Sequence, residues 1–270
     1  MSEFKIKSPA KINLYLKILG KLNNNYHELD TSFQLIDLYD DICFKKTKKG
    51  ISVKCNNKDI DNHKNIVFKI ANDLQKHTKN NGIEIQIKKR IPIGSGLGGG
   101  SSNAASAIVV LNKIWGLNLN RTKMLEYAKE IGADVPFFIF GKNAKAKGIG
   151  EKLKYRESIN SNILIIDPEI NNSTKIMFDQ YDQSSKKNVQ LSNFRQNSFW
   201  SIFLSNEKTV RDFYYKNFKE FELNLSGSGS CMYIKYNKRE EINKLVKKIP
   251  SNWRLFFCKP LQYSPICYID

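Results

Sequence analysis

Apolar and polar residues alternate in several stretches of the N-terminal half, which is typical of β-strands. Ile12, Leu14, Leu16 and Ile18 recur at every second position, so their side chains would share one face of a strand. The same period predicts strands over 33–38, 41–46, 51–55 and 83–87. Apolar residues spaced three and four apart instead predict helices, over 65–78, 101–115 and 122–131. For the last of these, Asn120 is the predicted cap and Gly132 the predicted end.

Strand and helix patterns start again after Glu151. They predict strands over 162–166, 231–236 and 255–259, and helices over 207–219 and 238–248. The polar stretch 182–198 predicts a surface loop or a short helix. The interpretation is an α+β fold in two lobes, with residues 1–155 forming one and residues 156–270 the other.

Composition excludes several classes of protein. No segment approaches 18 uncharged apolar residues, and lysines interrupt the apolar residues at the N-terminus, so we expect a cytoplasmic protein without a membrane partner. The five cysteines form no C-x-x-C pair, and the three histidines form no H-x-x-x-H pair, which argues against disulfides and a zinc site. The net charge of +18 indicates either an anionic partner or lysines scattered over solvated faces.

A cluster of five glycines between Gly94 and Gly100 is the most unusual local feature. It follows a predicted strand and precedes a predicted helix, where backbone N–H groups and the helix dipole favour a phosphate group. A P-loop is excluded because no Gly-Lys-Ser/Thr occurs, and a dinucleotide fold lacks its acidic residue about 20 positions later. A plain tight turn would need only one or two glycines. The cluster therefore predicts a phosphate-binding loop.

Three motifs together resemble the GHMP kinase superfamily. They are SPAKINL at 8–14, PIGSGLGGGSSNAA at 92–105 and GADVPFF at 132–138, in the order and spacing of that superfamily. NNNYHEL at 23–29 and SGSGSCMY at 226–233 extend the resemblance to nearly the whole chain. Within that superfamily, the motifs most resemble the kinases whose phosphoryl acceptor is a methylerythritol linked to cytidine diphosphate. Those kinases act on the non-mevalonate route to isoprenoid precursors.

The resemblance implies a fold and a reaction. The N-terminal lobe would be ribosomal-protein-S5-like and bind ATP, and the C-terminal lobe would be ferredoxin-like, with the acceptor between them. ATP, accompanied by Mg²⁺ with unassigned ligands, would phosphorylate the 2-hydroxyl of the acceptor. Lys11 and Asp134 match the catalytic lysine and aspartate of the superfamily. The residues alone leave two other roles open: Lys11 could be a solvated strand lysine, and Asp134 could cap the helix that follows it.

The resemblance also implies binding residues. Tyr26 and His27 would hold the cytosine by stacking and polar contacts, and Asn13 would contact the same acceptor. Phe178 would lie on the other side of the base, although core packing in a helix explains it equally well. The predicted ATP-binding residues are Pro92, Ile93, Gly94, Ser95, Gly96, Leu97, Gly98, Gly99, Gly100, Ser101, Ser102 and, by weaker analogy, Asn65. The SGSGS loop, 226–230, would close over the site or form a simple turn.

Two other functions remain open from the sequence. The first is a kinase of the same superfamily for homoserine, mevalonate or a sugar, whose acceptor has no base for Tyr26 and His27 to contact. The second is a basic RNA-binding protein with an S5-like lobe, against which the intact glycine loop argues. We therefore predict a small-molecule partner and no nucleic acid.

Overall fold

The computed structural model describes residues 3–23, 25–60, 62–78, 82–186 and 196–269. Alternating apolar residues build a first sheet of six strands. They are β1 (Glu3–Lys21), β2 (His27–Thr47), β3 (Ile51–Cys55), β4 (Gly82–Lys88), β5 (Ala144–Gly148) and β6 (Lys152–Tyr155). Strand β2 pairs antiparallel with β1, β4 and β5, while β3 and β4 are parallel.

The prediction of separate strands over 33–38 and 41–46 is wrong, because both belong to the single strand β2. Strand β1 pairs with β2 from Glu3↔Lys45 to Lys21↔His27, so the ladder continues through the polar residues between the two stretches. A register shift between Pro9 and Ala10 interrupts the alternation there. Such a bulge changes which face a side chain occupies without ending the strand.

Four helices cover one face of the first sheet. They are α1 (Ile66–Gln75), α2 (Gly99–Trp115), α3 (Arg121–Ile131) and α4 (Val135–Phe140). Helix α3 begins where the Asn120 side chain accepts a hydrogen bond from Lys123 N at 2.9 Å, and it ends at Gly132, as the sequence predicts. Their apolar faces and the sheet enclose the larger core of the molecule.

The second sheet has four antiparallel strands in the order β10–β7–β9–β8. These are β7 (Asn162–Asp167), β8 (Asn224–Leu225), β9 (Met232–Tyr236) and β10 (Arg254–Cys258). Helices α5 (Thr174–Lys186), α6 (Trp200–Asn206), α7 (Lys208–Asn217) and α8 (Glu240–Val246) complete this half. Of the stretch 182–198, predicted as a surface loop or a short helix, residues 182–186 are the last residues of helix α5, and 187–195 lie outside the described residues.

A shared apolar core joins the two sheets. Ile12 of β1 and Leu97 of the glycine loop pack with Ile163 and Ile165 of β7 and with Tyr233 of β9. This contact brings Leu97, in the middle of the glycine loop, against the second half of the molecule. The α+β prediction is confirmed, while the boundary at 155/156 stays a prediction. None of the helices in the described part of the chain is long and apolar enough to cross a membrane.

Candidate active site

A cavity of about 1010 Å³ between the two halves gathers most of the predicted site residues. The predicted residues that line it are Lys11, Asn13, Tyr26, His27, Asn65, Pro92, Ile93, Gly94, Ser95, Gly96, Gly98, Gly99, Gly100, Ser101, Asp134 and Phe178. Leu97 and Ser102, also predicted to bind ATP, do not line it. Leu97 is buried in the core between the sheets, and the Ser102 hydroxyl lies 2.8 Å from that of Ser8.

The glycine loop, residues 94–100, needs its glycines for reasons that differ along its length. Gly96 has φ +75°, and a Cβ there would overlap the carbonyl oxygen of Ser226. Gly98 has φ +72° and precedes helix α2, with Phe138 and Lys11 side chains about 3 Å from the place of a Cβ. Both positions therefore exclude other residues by backbone conformation and by space.

The N-terminus of α2 is the part of the loop that is suited to an anion. The first intrahelical bond runs from Ser102 N to Gly98 O at 2.9 Å. The N–H groups of Gly99, Gly100 and Ser101 therefore have no carbonyl one turn earlier, and no side chain caps this helix. Gly100 is exposed in the cavity, and nothing lies within 4 Å of the place of its Cβ. A phosphate group can therefore approach these amides closely.

Replacing Gly100 by Ala separates the role of this amide from folding. Ala is favoured over Gly within a helix by about 0.5–1 kcal/mol, so we expect Gly100→Ala to stabilise the free protein. The methyl group would hold a phosphate away from the amide, and losing a hydrogen bond to a charged group costs about 1.5–3 kcal/mol. ATP affinity should therefore fall roughly tenfold to hundredfold. Calorimetric titration of ATP and thermal unfolding measure the two effects.

Gly20→Ala is the matched control for Gly100→Ala. Gly20 also has open space and no positive φ, but it lies in β1 outside the cavity lining. Its substitution should leave ATP affinity unchanged. If Gly100→Ala bound ATP like the parent protein, the phosphate site would have to lie elsewhere.

Lys11 is buried in the centre of the site, so the alternative of a solvated lysine is wrong. Its side chain is 3% exposed. Its Nζ atom donates to Asn13 Oδ1 at 2.6 Å and to Gly96 O at 2.8 Å, and it lies 3.4 Å from Asp134 Oδ2. An ammonium group has three protons, so these three acceptors account for all of them. Lys11 thus joins strand β1, the glycine loop and the start of α4.

Asp134 occupies the position before α4 but does not cap it. Its backbone is helical, with φ −87° and ψ −12°, and its side chain makes no capping hydrogen bond. A capping side chain normally needs an extended backbone at this position. The capping role is therefore wrong. The carboxylate instead points to Lys11 and remains 32% exposed at the cavity.

Asn13 is oriented by a residue that the sequence analysis missed. Its Nδ2 donates to Thr31 Oγ1 at 2.8 Å, and Thr31 Oγ1 donates to Tyr15 O at 2.6 Å. The amide oxygen of Asn13 is thereby turned towards Lys11. Thr31 is an ordinary strand residue in the sequence, and only the pairing of β1 with β2 brings it to the site. The contact of Asn13 with the acceptor stays a prediction.

The aromatic residues of the site are arranged differently from the prediction. The rings of His27 and Phe178 stack on each other, with centroids 4.5 Å apart and planes at 17°. No base fits between two rings in direct contact, so His27 and Phe178 cannot enclose one in this arrangement. Stacking of a base on Tyr26, which is 56% exposed, stays a prediction. Phe178 also packs edge-on against Phe199 at 4.9 Å, and it therefore serves the core and the cavity together.

Asn65 has a structural task at the edge of the cavity. Its Oδ1 accepts from Val67 N at 3.0 Å, which caps α1, and its Nδ2 donates to Ile60 O at 2.8 Å. Contact with adenine stays a prediction for this residue.

The SGSGS loop lies directly against the glycine loop, which a simple turn would not require. Ser226 Oγ donates to Gly96 O at 3.0 Å, and Cys231 N donates to Ser95 O at 3.0 Å. Asn197 supports the SGSGS loop by donating to Leu225 O and Gly227 O at 2.9 and 2.8 Å. Asn197 could not be predicted from the sequence, because an isolated asparagine in a polar stretch has no distinctive pattern.

A buried ion pair holds the entrance to the glycine loop. Asp40 of β2 is fully buried, and its Oδ2 contacts Lys89 Nζ. Its Oδ1 accepts from Arg90 N at 2.8 Å and Ile91 N at 2.9 Å. Because these residues immediately precede Pro92, Asp40 fixes the direction in which the chain enters the loop. Lys89 also lines the cavity.

Protein ligands alone do not form a metal site in the described part of the chain. No group of three His, Cys, Asp or Glu residues is placed to hold an ion there. Mg²⁺ commonly uses only one or two protein ligands together with substrate phosphates. Of the two serines at the start of α2, Ser101 lines the cavity, whereas the Ser102 hydroxyl is hydrogen-bonded to that of Ser8.

The chain is similar to known proteins along nearly its whole length. Residues 65–142 match the family described as GHMP kinases N terminal domain. The 4-diphosphocytidyl-2-C-methyl-D-erythritol kinase of Acinetobacter baylyi is 34% identical, over 98% of this chain and 98% of that one. A crystal structure of 4-(cytidine 5'-diphospho)-2C-methyl-D-erythritol kinase superposes with a TM-score of 0.79 at 22% identity, covering 95% of this chain and 99% of that one.

The same fold also occurs with a different acceptor. The crystal structure of homoserine kinase from Cytophaga hutchinsonii has a TM-score of 0.66 and 17% identity, covering 97% of this chain and 96% of that one. These likenesses confirm the two-lobed GHMP-kinase fold predicted from the sequence. The fold alone does not identify the acceptor, since kinases for different acceptors share it.

Proposed function

The chain belongs to the 4-diphosphocytidyl-2-C-methyl-D-erythritol kinase family, and on this premise we propose that it phosphorylates the 2-hydroxyl of 4-diphosphocytidyl-2-C-methyl-D-erythritol with ATP. One observation carries the proposal. The cavity contains the uncapped start of α2, the Lys11–Asp134 pair and the Tyr26–His27 pair together. These are the parts needed for a donor, for transfer and for an acceptor that carries a nucleobase.

The Lys11–Asp134 pair supports a division of roles in the transfer. Phosphoryl transfer needs alignment, neutralisation of charge and a group that receives the hydroxyl proton. Asp134 is partly exposed and acceptor-only when ionised, so it is the candidate to receive that proton. Lys11 is held by Asn13 and Gly96, and its charge would stabilise the transferred group. The amides at the start of α2 would hold the donor phosphates.

Mg²⁺ fits this site as an ion that arrives with ATP. The described residues offer no closed cage of ligands, but the Ser101 hydroxyl and the Asp134 carboxylate both line the cavity. When bound, the ion would neutralise charge on the phosphates. The cytoplasmic location stays a prediction.

An assay of ADP release with a panel of acceptors tests the proposed function. We expect turnover with 4-diphosphocytidyl-2-C-methyl-D-erythritol, and none with homoserine or mevalonate. Removal of Mg²⁺ with EDTA should abolish turnover, and added Mg²⁺ should restore it. Preferred turnover of an acceptor without a base would overturn the proposal. RNA binding that weakens steeply with salt, without ATP turnover, would favour the RNA-binding alternative.

Tyr26→Ala tests the nucleobase end of the cavity. Stacking of a base on an aromatic ring contributes about 1–3 kcal/mol, so the acceptor KM should rise roughly tenfold or more. The KM for ATP should hardly change, because the glycine loop is untouched. Tyr26→Phe keeps the ring and should retain most of the acceptor affinity. Steady-state kinetics that showed equal damage to both substrates in Tyr26→Ala would assign Tyr26 a structural role.

A further inference from the structure

Helix α5 contacts His27 in two ways. Phe178 stacks on the imidazole ring, and one helical turn later Asp182 Oδ1 lies 2.6 Å from His27 Nε2. The other carboxylate oxygen of Asp182 lies 2.5 Å from Lys21 Nζ. His27 itself is only 7% exposed. The ring is therefore held from its face by Phe178 and from one nitrogen by Asp182.

The charge of Asp182 decides which atom carries the proton in this contact. Partial burial by itself would raise the pKa of Asp182, but hydrogen bonds from Lys21 and His27 bring the pKa below its usual value. The carboxylate is therefore ionised at neutral pH and can only accept. His27 Nε2 must then be the donor. In a neutral imidazole, a proton on Nε2 leaves Nδ1 as an acceptor.

We propose that Asp182 is a positioning residue that holds His27 as the Nε2–H tautomer, so that Nδ1 accepts a hydrogen bond from the amino group of a cytosine base. The inference rests on the proposed function, since His27 lines the cavity at the end assigned to the base. Uracil presents a carbonyl oxygen where cytosine presents its amino group. An acceptor on His27 would face that oxygen without a proton between them, so the site would favour cytosine.

Lys21 pairs with the carboxylate oxygen of Asp182 that His27 does not contact. Lys21 and His27 are paired residues at the ends of β1 and β2, so their side chains are fixed relative to each other by the strand ladder. Asp182 bridges the two and ties α5 to this end of the strands. The ion pair keeps the carboxylate ionised and directs one oxygen to the imidazole. Lys21→Met should therefore weaken the effect of Asp182 without removing it.

Nitrogen NMR measures the tautomer directly, without any ligand. The chain has three histidines, and a His27→Gln variant identifies the signals of His27. In the ¹⁵N-labelled protein we expect the shifts of a protonated Nε2 and a bare Nδ1. In Asp182→Ala the preference of the proton for Nε2 over Nδ1 should disappear or reverse. A parent protein with the proton on Nδ1 would overturn the proposal.

Binding of CDP and UDP measures the consequence for recognition. The parent should bind CDP more tightly than UDP, and Asp182→Ala should reduce that preference about three- to tenfold, the usual worth of one hydrogen bond. Asp182→Asn keeps the size of the side chain. It should also lose part of the preference for CDP over UDP, because an amide can donate as well as accept and no longer requires Nε2 to be the donor. ATP affinity should stay unchanged in all variants. Gln183→Ala, the exposed neighbour on α5, serves as the control.

These measurements separate the inference from the proposed function. An unchanged ratio of CDP to UDP affinity in Asp182→Ala would overturn the inference, even if the acceptor assay succeeded. Equal loss of CDP and UDP binding would also overturn it, because it would show a merely structural role. A protein that prefers CDP through Asp182 but transfers no phosphoryl group would retain the inference and lose the proposed function.

Discussion

Asp134→Asn should lower kcat by about 10²–10⁴-fold, the usual contribution of a positioned base, while the protein stays folded. The amide has nearly the size of the carboxylate but cannot take a proton from a hydroxyl at neutral pH. Lys11 keeps its two shorter contacts, to Asn13 and Gly96, so the surrounding structure should remain. The measurement is kcat at saturating ATP and acceptor, together with the thermal midpoint.

The stability of the Asp134 variants distinguishes catalysis from helix capping. A capping residue that is replaced by Ala costs about 1 kcal/mol, but the Asp134 side chain caps nothing. Asp134→Ala should therefore lose activity with a thermal midpoint within a few degrees of the parent. Asp212→Asn, the same change in an exposed pair with Lys208, is the control and should affect neither quantity. Parent-like turnover by Asp134→Asn would mean that the hydroxyl proton leaves by another route.

Local patterns were sufficient to predict the elements whose signals lie within a few residues. Asn120 and Gly132 marked the ends of α3, because a capping side chain and a helix stop act on their own neighbours. Helix α6 was missed because a segment of seven residues is too short for a helical period to show in the sequence. The long strand β2 was divided because a bulge changed the alternation without ending the pairing.

The candidate site could be predicted less completely from local sequence patterns than the helices and strands. Motifs identified Lys11 and Asp134, but no local rule shows that Lys11 is buried or that Asp134 leaves its helix uncapped. Thr31, Asn197 and Asp182 reach the site from single polar positions, and their partners lie far away along the chain. Such contacts depend on how strands and lobes pack, which periodicity does not encode.

The role of the glycine cluster follows partly from the local sequence pattern and partly from tertiary packing. Its density predicted an anion site, and the start of α2 has the free amides such a site requires. The packing adds that Gly96 is needed for contact with the SGSGS loop, whereas Gly100 borders open cavity. Substitutions at the two positions should therefore differ in kind: at Gly96 they strain the fold, and at Gly100 they act on the ligand.

Asp40→Ala should lower the free energy of unfolding by about 3–5 kcal/mol, the cost of removing one partner of a buried ion pair. The substitution leaves Lys89 as a buried charge and removes the acceptor of two backbone N–H groups, at Arg90 and Ile91. Ile91 is buried, so its N–H cannot regain water without opening the entrance to the glycine loop. Urea unfolding measures the change, and the loss of stability should appear as a lower urea concentration at the midpoint of unfolding.

Asp40→Asn and Asp41→Asn show which part of this loss belongs to the buried charge. The amide oxygen of Asp40→Asn can still accept from Arg90 and Ile91, so the variant should fold and lose less than Asp40→Ala. It leaves Lys89 without a counter-charge beside Gly99, and the more positive site should lower the KM for ATP while the acceptor KM stays near that of the parent. Asp41 pairs with Arg90 at 2.7 Å on the surface, where an ion pair contributes about 0–1 kcal/mol. If Asp40→Ala unfolded at the same urea concentration as Asp41→Asn, the buried pair would not hold the loop entrance, and the loop would have to be positioned by its contacts with Ser226 and Cys231.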